Sequence, residues 1–225
     1  MICSSGNLLG MEQPLSGRRG QAAQNDERIL AAAREVFIAD ADAPISAVAS
    51  RAGVGISALY RRYPGKEDLL RQLCRDGLRS YVEEAEAALA DDGDPWEAFA
   101  GFLRRIVAAD VHSLTVRLAG TFTPTPDMFE DARRSGELND QLVARTKARG
   151  GLRGDVTSED LPLILEMVAA IRPGVFGDDE RTAELRQRFL SLCLDGLRHD
   201  ADPLTGAPPT DAELGRRWQR RATTG

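Results

Sequence analysis

The chain has 225 residues, 29 Lys and Arg against 35 Asp and Glu, 42% hydrophobic and 5% aromatic residues, and a net charge of −6. That length supplies one large or two small domains with ample core. Its charge-rich, aromatic-poor composition fits a soluble helical protein. The charge is uneven: residues 1–80 carry 11 Arg/Lys and 9 Asp/Glu (+2), and residues 81–225 carry 18 and 26 (−8). Such a distribution excludes a general polyanion binder and suits a protein that meets an anionic partner through one small surface.

Cys3, Cys74 and Cys193 are scattered and odd in number, so no disulfide framework or C-x-x-C pair forms and a reducing cytoplasm is expected. The first ten residues lack a basic n-region followed by an apolar core. The most apolar run, LPLILEMVAAI (161–171), is too short to span a bilayer and contains Glu166.

In chain order, residues 1–25 are Gly-, Ser- and Gln-rich without periodicity and read as a disordered arm. Arg18 and Arg19 could reach a minor groove, although a solvated tail is the simpler reading. Asn25 is a good N-cap, with Asp26 and Glu27 on the first turn. The helix it opens puts Ile29, Leu30, Ala33, Val36 and Phe37 on one face.

Residues 44–66, PISAVASRAGVGISALYRRYPGK, hold the densest signal. Ile45, Val48, Ala49 and Ala52 form the apolar face of a short helix, and Gly53 supplies a left-handed stop. A second short helix runs from about Gly55 to Tyr63, with Leu59 and Tyr63 inward, and Pro64-Gly65 ends it. Two short helices across a Gly turn predict a helix-turn-helix. Arg51, Arg61, Arg62 and Lys66 lie in a stretch with no acid, a footprint for phosphate. At the start of the second helix Ile56, Ser57 and Ala58 face outward, where a recognition helix meets base edges, and Arg61 could fork onto a guanine.

From Lys66 a long helix keeps its period through Leu69, Leu70, Leu73, Cys74, Leu78, Tyr81, Val82, Ala85 and Leu89 to about Ala90, a lever from reader to body. Asp94-Pro95-Trp96-Glu97 opens the next helix, with Phe99, Leu103, Ile106 and Val107 following at helical spacing. A shorter helix covers 112–122, another runs from Thr125-Pro126-Asp127 to about Arg149, and Gly150, Gly151 and Gly154 make a loop. A helix capped by 157–160 is apolar nearly all round, which implies burial from several sides. The last long helix, 179–198, is expected to bury Leu185, Phe189, Leu192, Cys193 and Leu197. These two helices predict a helix-pair dimer interface through Leu163, Met167, Ile171, Phe189, Leu192 and Cys193. In the tail, T-D-A-E (210–213) is a capping-box signature. Leu214 and Trp218 read as docking on the body, with a second nucleic-acid contact through Arg216, Arg217, Arg220 and Arg221 as the sharper alternative.

The segment ILAAAREVF (29–37) and the block VASRAGVGISALYRRYPGKEDLL (48–70), with its spacing G-V-x-x-x-x-L-Y-x-x-Y-P-x-K-E, resemble the DNA-binding domain of tetracycline-repressor-like (TetR) regulators. The resemblance covers residues 26–70; beyond them the all-helical layout agrees. It implies phosphate contacts by Tyr60, Arg62 and Lys66. Pro44 stands where the family often has Thr or Ser, which passes a contact at the start of that helix to Ser46; Arg62 stands where His is frequent. It also implies a ligand pocket in the body. Visible candidates are Phe99, Leu103, His112, Thr115, Arg117, Phe122, Phe129 and Glu166, with Trp96, Phe102, Met128 and Arg172 as further possibilities.

Only two histidines occur, His112 and His199, in different elements. No H-E-x-x-H, G-x-S-x-G, P-loop or G-x-G-x-x-G is present, so neither catalysis nor a cofactor or metal site is expected. The expectation is therefore an all-α fold: an N-terminal three-helix helix-turn-helix domain (26–70), a helical ligand-binding and dimerisation domain (71–200), and a Pro-rich tail with a short helix (201–225). Its expected partners are double-stranded DNA, a second copy and a small-molecule effector. The alternative is a helical dimer that binds a small molecule or protein and carries a vestigial reader.

Overall fold

The computed structural model describes residues 18–198 and 202–218. In chain order the helices are α1 (Arg18–Ala39), α2 (Ile45–Ala52), α3 (Ile56–Arg62), α4 (Lys66–Ala90), α5 (Pro95–Ala108), α6 (Val111–Leu118), α7 (Pro126–Ala148), α8 (Asp160–Ala169), α9 (Asp179–Arg198) and α10 (Asp211–Gly215). A 3-10 turn, Arg216–Trp218, follows. No strand occurs among the described residues.

Two hydrophobic clusters organise these helices. The first holds Ile29, Ala33 and Phe37 of α1, Val48 of α2, Leu59 of α3, and Leu69, Leu70 and Leu73 of α4. It continues into the body through Leu114 and Leu118 of α6, Phe122 and Met128. The second is built on α5, with Tyr81 and Ala85 of α4, Leu138 and Leu142 of α7, Leu161 and Leu165 of α8, and Leu190 and Leu194 of α9. α4 and α6 each contribute to both clusters, so neither half can shift without disturbing them. Phe37 is fully buried, and burying one such side chain contributes roughly 2–3 kcal/mol.

Local chemistry explains the reader's turns. Gly53 adopts φ 64°, ψ 36° and ends α2, a conformation that L side chains avoid. The Arg28 guanidinium donates to the Ala52 carbonyl at 2.8 Å and lies 3.1 Å from where a Gly53 Cβ would be. α1 thus caps α2 through a contact that a side chain at 53 would crowd. Pro44, φ −71°, precedes α2 and supplies no side-chain cap.

The structure revises several expected boundaries. α1 begins at Arg18, so Asn25 lies inside a helix and accepts from Gln21 Nε2 at 3.3 Å instead of capping. The rest of the expected arm, residues 1–17, and the side chains of Arg18 and Arg19 lie outside the described residues, as do His199, Arg220, Arg221 and the Arg217 side chain. On α9 the intrachain face is Thr182, Arg186, Leu190, Leu194 and Leu197. Phe189 and Leu192 are exposed, and Leu185 and Cys193 are half-buried. α9 carries two apolar faces, and its periodicity alone does not say which one meets its own chain. α8 likewise buries Leu161, Leu165 and Val168 while Leu163 and Met167 face outward, so it is covered on one side only. The tail forms its capping box, with the Thr210 side chain and the Glu213 backbone and carboxylate paired reciprocally. Trp218 docks edge-on against Phe122, ring centroids 6.1 Å apart.

Candidate nucleic-acid interface and body cavity

α3 rests on the first cluster through Leu59, while Tyr63 just beyond it is buried and anchored by its hydroxyl, which donates to Asp26 at 2.7 Å. Ile56 (40% exposed), Ser57, Tyr60 (48%) and Arg61 project outward together, and Ala58 is half-buried beside them. Ser46 is exposed on the first turn of α2.

The four cations of the basic stretch are placed unequally. Arg51 pairs with Glu35 of α1. Arg62 forms a two-point bridge to Asp26 at 2.9 and 2.7 Å, with its guanidinium 5.6 Å from the Tyr63 ring centre. Lys66 turns inward: its ammonium donates to the carbonyls of Ala41 and Ala43 at 2.9 and 2.8 Å and lies 5.2 Å from the Phe37 ring centre. Arg61 alone of the four has no intramolecular hydrogen bond or ion pair among the described residues. Two of the three Lys66 N–H donors thus tie α4 to the α1–α2 connection, leaving one for the phosphate contact expected of it. Exposed pairs such as Arg51–Glu35 are worth about 0–1 kcal/mol and exchange readily for another anion.

The Arg62 hydrogen bond, followed by that of Tyr63, holds the Asp26 carboxyl below its ordinary pKa against its partial burial. Burial and the hydrogen bond to Asp26 push the Tyr63 phenol up. Because the Asp26 pKa is lowered on folding, its stabilisation is complete above the unfolded value near 3.9 and is lost as pH falls through the folded value. Asp26→Asn is therefore expected to cost about 1 kcal/mol at neutral pH, a figure discounted for the exposed guanidinium. In urea titrations the gap from the parent protein should close as the pH falls below about 4; a gap independent of pH would reject the ion pair as its origin.

Between α4 and α7, bordered by the starts of α6 and α8 and by α10, lies a half-open cavity of about 620 Å³. Of the expected pocket residues, His112 and Phe129 line it. Phe99 and Leu103 do not: α5 is packed by α4, α7, α8 and α9, and both side chains are fully buried in the second cluster. Phe122 is buried under Trp218, Arg117 donates to the Ala39 carbonyl at 2.9 Å, and Glu166 sits on α8 away from the cavity wall. Trp96 and Phe102 are core, and Met128 lines the cavity. The Thr115 side chain lies outside the described residues.

Sequence reasoning missed the cavity's polar centre. Tyr81 donates its hydroxyl to Asn139 Oδ1 at 2.9 Å, both side chains being buried, and the Tyr81 ring stands edge-on to Phe102 at 5.2 Å. Burial pushes the Tyr81 phenol up, so it remains a donor. The available signal was a tyrosine in an apolar stripe, whose hydroxyl demands a partner. Cys74, also on the wall, is an unreactive thiol, pushed up to about 12 by burial. Among the described residues no cluster of metal-ligating side chains occurs, and no helix is long and apolar enough to cross a membrane.

Leu163, Met167 (58% exposed), Phe189 and Leu192 (57%) are exposed on α8 and α9, and Ile171 and Cys193 are half-buried. Val175 and Phe176, in the α8–α9 connection, add two exposed apolar side chains that sequence reasoning did not single out.

Comparison with known proteins follows the same division. The profile described as "Bacterial regulatory proteins, tetR family" matches residues 29–73, and that of the "Transcriptional regulator SbtR-like, C-terminal domain" matches residues 94–199. No match is found among curated protein sequences. The TetR transcriptional regulator SCO0520 from Streptomyces coelicolor is 28% identical, with a TM-score of 0.55 over 78% of this chain and 99% of that one. A TetR transcription regulatory protein from Mycobacterium vanbaalenii is 26% identical, with a TM-score of 0.54 over 81% and 100% of the two chains. A gamma-butyrolactone receptor, 17% identical, shares the fold with a TM-score of 0.58 over 88% and 94%. With a helix-turn-helix of three helices set on a helical body, this chain belongs to the tetR family of bacterial transcriptional regulators.

Proposed function

We propose that the protein is a one-component repressor that binds a pseudo-palindromic operator as a homodimer in the cytoplasm and releases it when a small molecule fills the body cavity. The observation that carries this reading is the placement of α4. Its first turns pack the reader through Leu69, Leu70 and Leu73, and Tyr81, further along, forms part of the cavity wall. A ligand that prefers one tilt of that helix shifts the readers by its differential affinity for the two states. In the dimer the two α3 helices would enter successive major grooves, roughly 34–36 Å apart. Ile56, Ser57, Ala58 and Arg61 would face bases, with Ser46, Tyr60 and Arg62 on the backbone.

Gel shift on the gene's own upstream DNA across a salt series tests the reading. A working reader loses affinity steeply with salt and still prefers one sequence over bulk DNA. One observation favours a second reading, a ligand-binding dimer with a vestigial reader: three of the four basic-stretch cations have partners within the chain. Equal, weak retention of all sequences would select it. Within the first reading, Tyr60→Phe should weaken all sequences alike by a few-fold. Arg61→Ala should change base preference, at about 1–3 kcal/mol for the preferred base pair. A uniform loss with Arg61→Ala would move that residue to the phosphate set.

A further inference from the structure

We infer that the effector held by this cavity is an amphipathic cation: an apolar body with a hydrogen-bond acceptor close to a positively charged head. The inference rests on the effector reading above and specifies its chemistry. The cavity's size is that of a small-molecule site. Much of its wall is apolar, with Leu78, Val111, Met128, Phe129 and Trp218 in it.

Asn139 supplies the acceptor-binding group. Its side chain is 6% exposed and its oxygen takes the Tyr81 hydroxyl, while its two N–H donors have no partner among the described residues. Asn139 lines the pocket, so a ligand carbonyl or ether oxygen could accept from these N–H groups there.

The charge around the cavity supplies the sign. Glu137, Asp140, Glu159 and Asp211 all line it, against Arg133 as the one Lys or Arg, and Arg133 is paired with Glu137. Asp140, Glu159 and Asp211 have no ion pair among the described residues. Asp140 and Glu159 share one hydrogen-bond donor, the Ser158 hydroxyl, which has a single hydrogen for two carboxylates. Hydrogen bonds from the Thr157 side chain and its own backbone keep Glu159 below the ordinary carboxyl range, so it stays charged at neutral pH. Two like charges held around one hydroxyl favour a cation between them and oppose an anion. Asn139 is buried and Asp140 exposed, and both line the pocket, so the acceptor would lie deeper and the charged head toward the rim.

Titration of the full-length protein with three probes below their micelle concentrations tests this: decanoylcholine, decanoate and γ-decalactone, followed by calorimetry and tryptophan fluorescence. Decanoylcholine should bind at least about tenfold tighter than the other two at low salt, with the margin narrowing as salt rises. Asp140→Asn and Asp211→Asn should each weaken the choline ester several-fold and leave the lactone unchanged. Asp211 is on an exposed tail helix, so that variant leaves the core intact. Equal or tighter binding of decanoate or the lactone, or choline-ester binding indifferent to both variants, overturns the cation assignment while leaving the cavity as an effector site. Failure of all three probes to bind, with operator binding intact, overturns the occupancy itself.

Discussion

Leu192→Arg is expected to turn a dimer into a monomer on a sizing column and to lower affinity for a full operator at least about a hundredfold. Leu192 is solvent-facing within the monomer, so an arginine there meets water and leaves the intrachain core alone. In a two-fold interface the same substitution occurs on both subunits. Each buried, unpaired guanidinium would oppose association by several kcal/mol. Phe189→Glu on the same helix should act alike. Operator affinity falls because a single reader keeps only one half-site's contacts. An unchanged elution volume for both variants would remove the outer α8–α9 face from the dimer contact. The exposed Val175 and Phe176 would then be the next surface to probe.

Lys66→Met is expected to lower the melting temperature by roughly 4–8 °C, from a loss of about 2 kcal/mol in a domain of this size. Methionine keeps the apolar stem and removes the ammonium, so the carbonyls of Ala41 and Ala43 lose their charged donor. The contact with the Phe37 ring goes as well, worth about 0.5–1 kcal/mol. The α1–α2 connection would loosen, and DNA affinity would fall because α3 is no longer held at a fixed angle. Calorimetry beside a salt-series gel shift separates this from a direct phosphate contact. An unchanged melting point with a salt slope reduced by about 1 would return Lys66 to the phosphate set.

The reader was legible in sequence because its signals are local. Gly53, Pro64 and the spacing of Ile45, Val48, Leu59 and Tyr63 act within a few residues of themselves, and the helices they predict are present. The long α4 was legible too, from its unbroken period and the breakers at both ends. The balance of charge in the reader was not. A window from 51 to 66 contains no acid, yet Glu35 and Asp26, brought in by α1, neutralise Arg51 and Arg62.

The cavity shows the same limit. Phe99 and Leu103 have the periodicity of core and are core, whereas Tyr81 and Asn139, 58 positions apart, meet only because α4 and α7 pack along each other. What the amino-acid order determined alone is where helices start, stop and present apolar residues, since those depend on neighbours along the chain. Which apolar face of α9 is covered, which cations remain available, and where the space between helices lies were decided by tertiary packing. Each of these is a relation between distant segments, and no one-dimensional pattern encodes it.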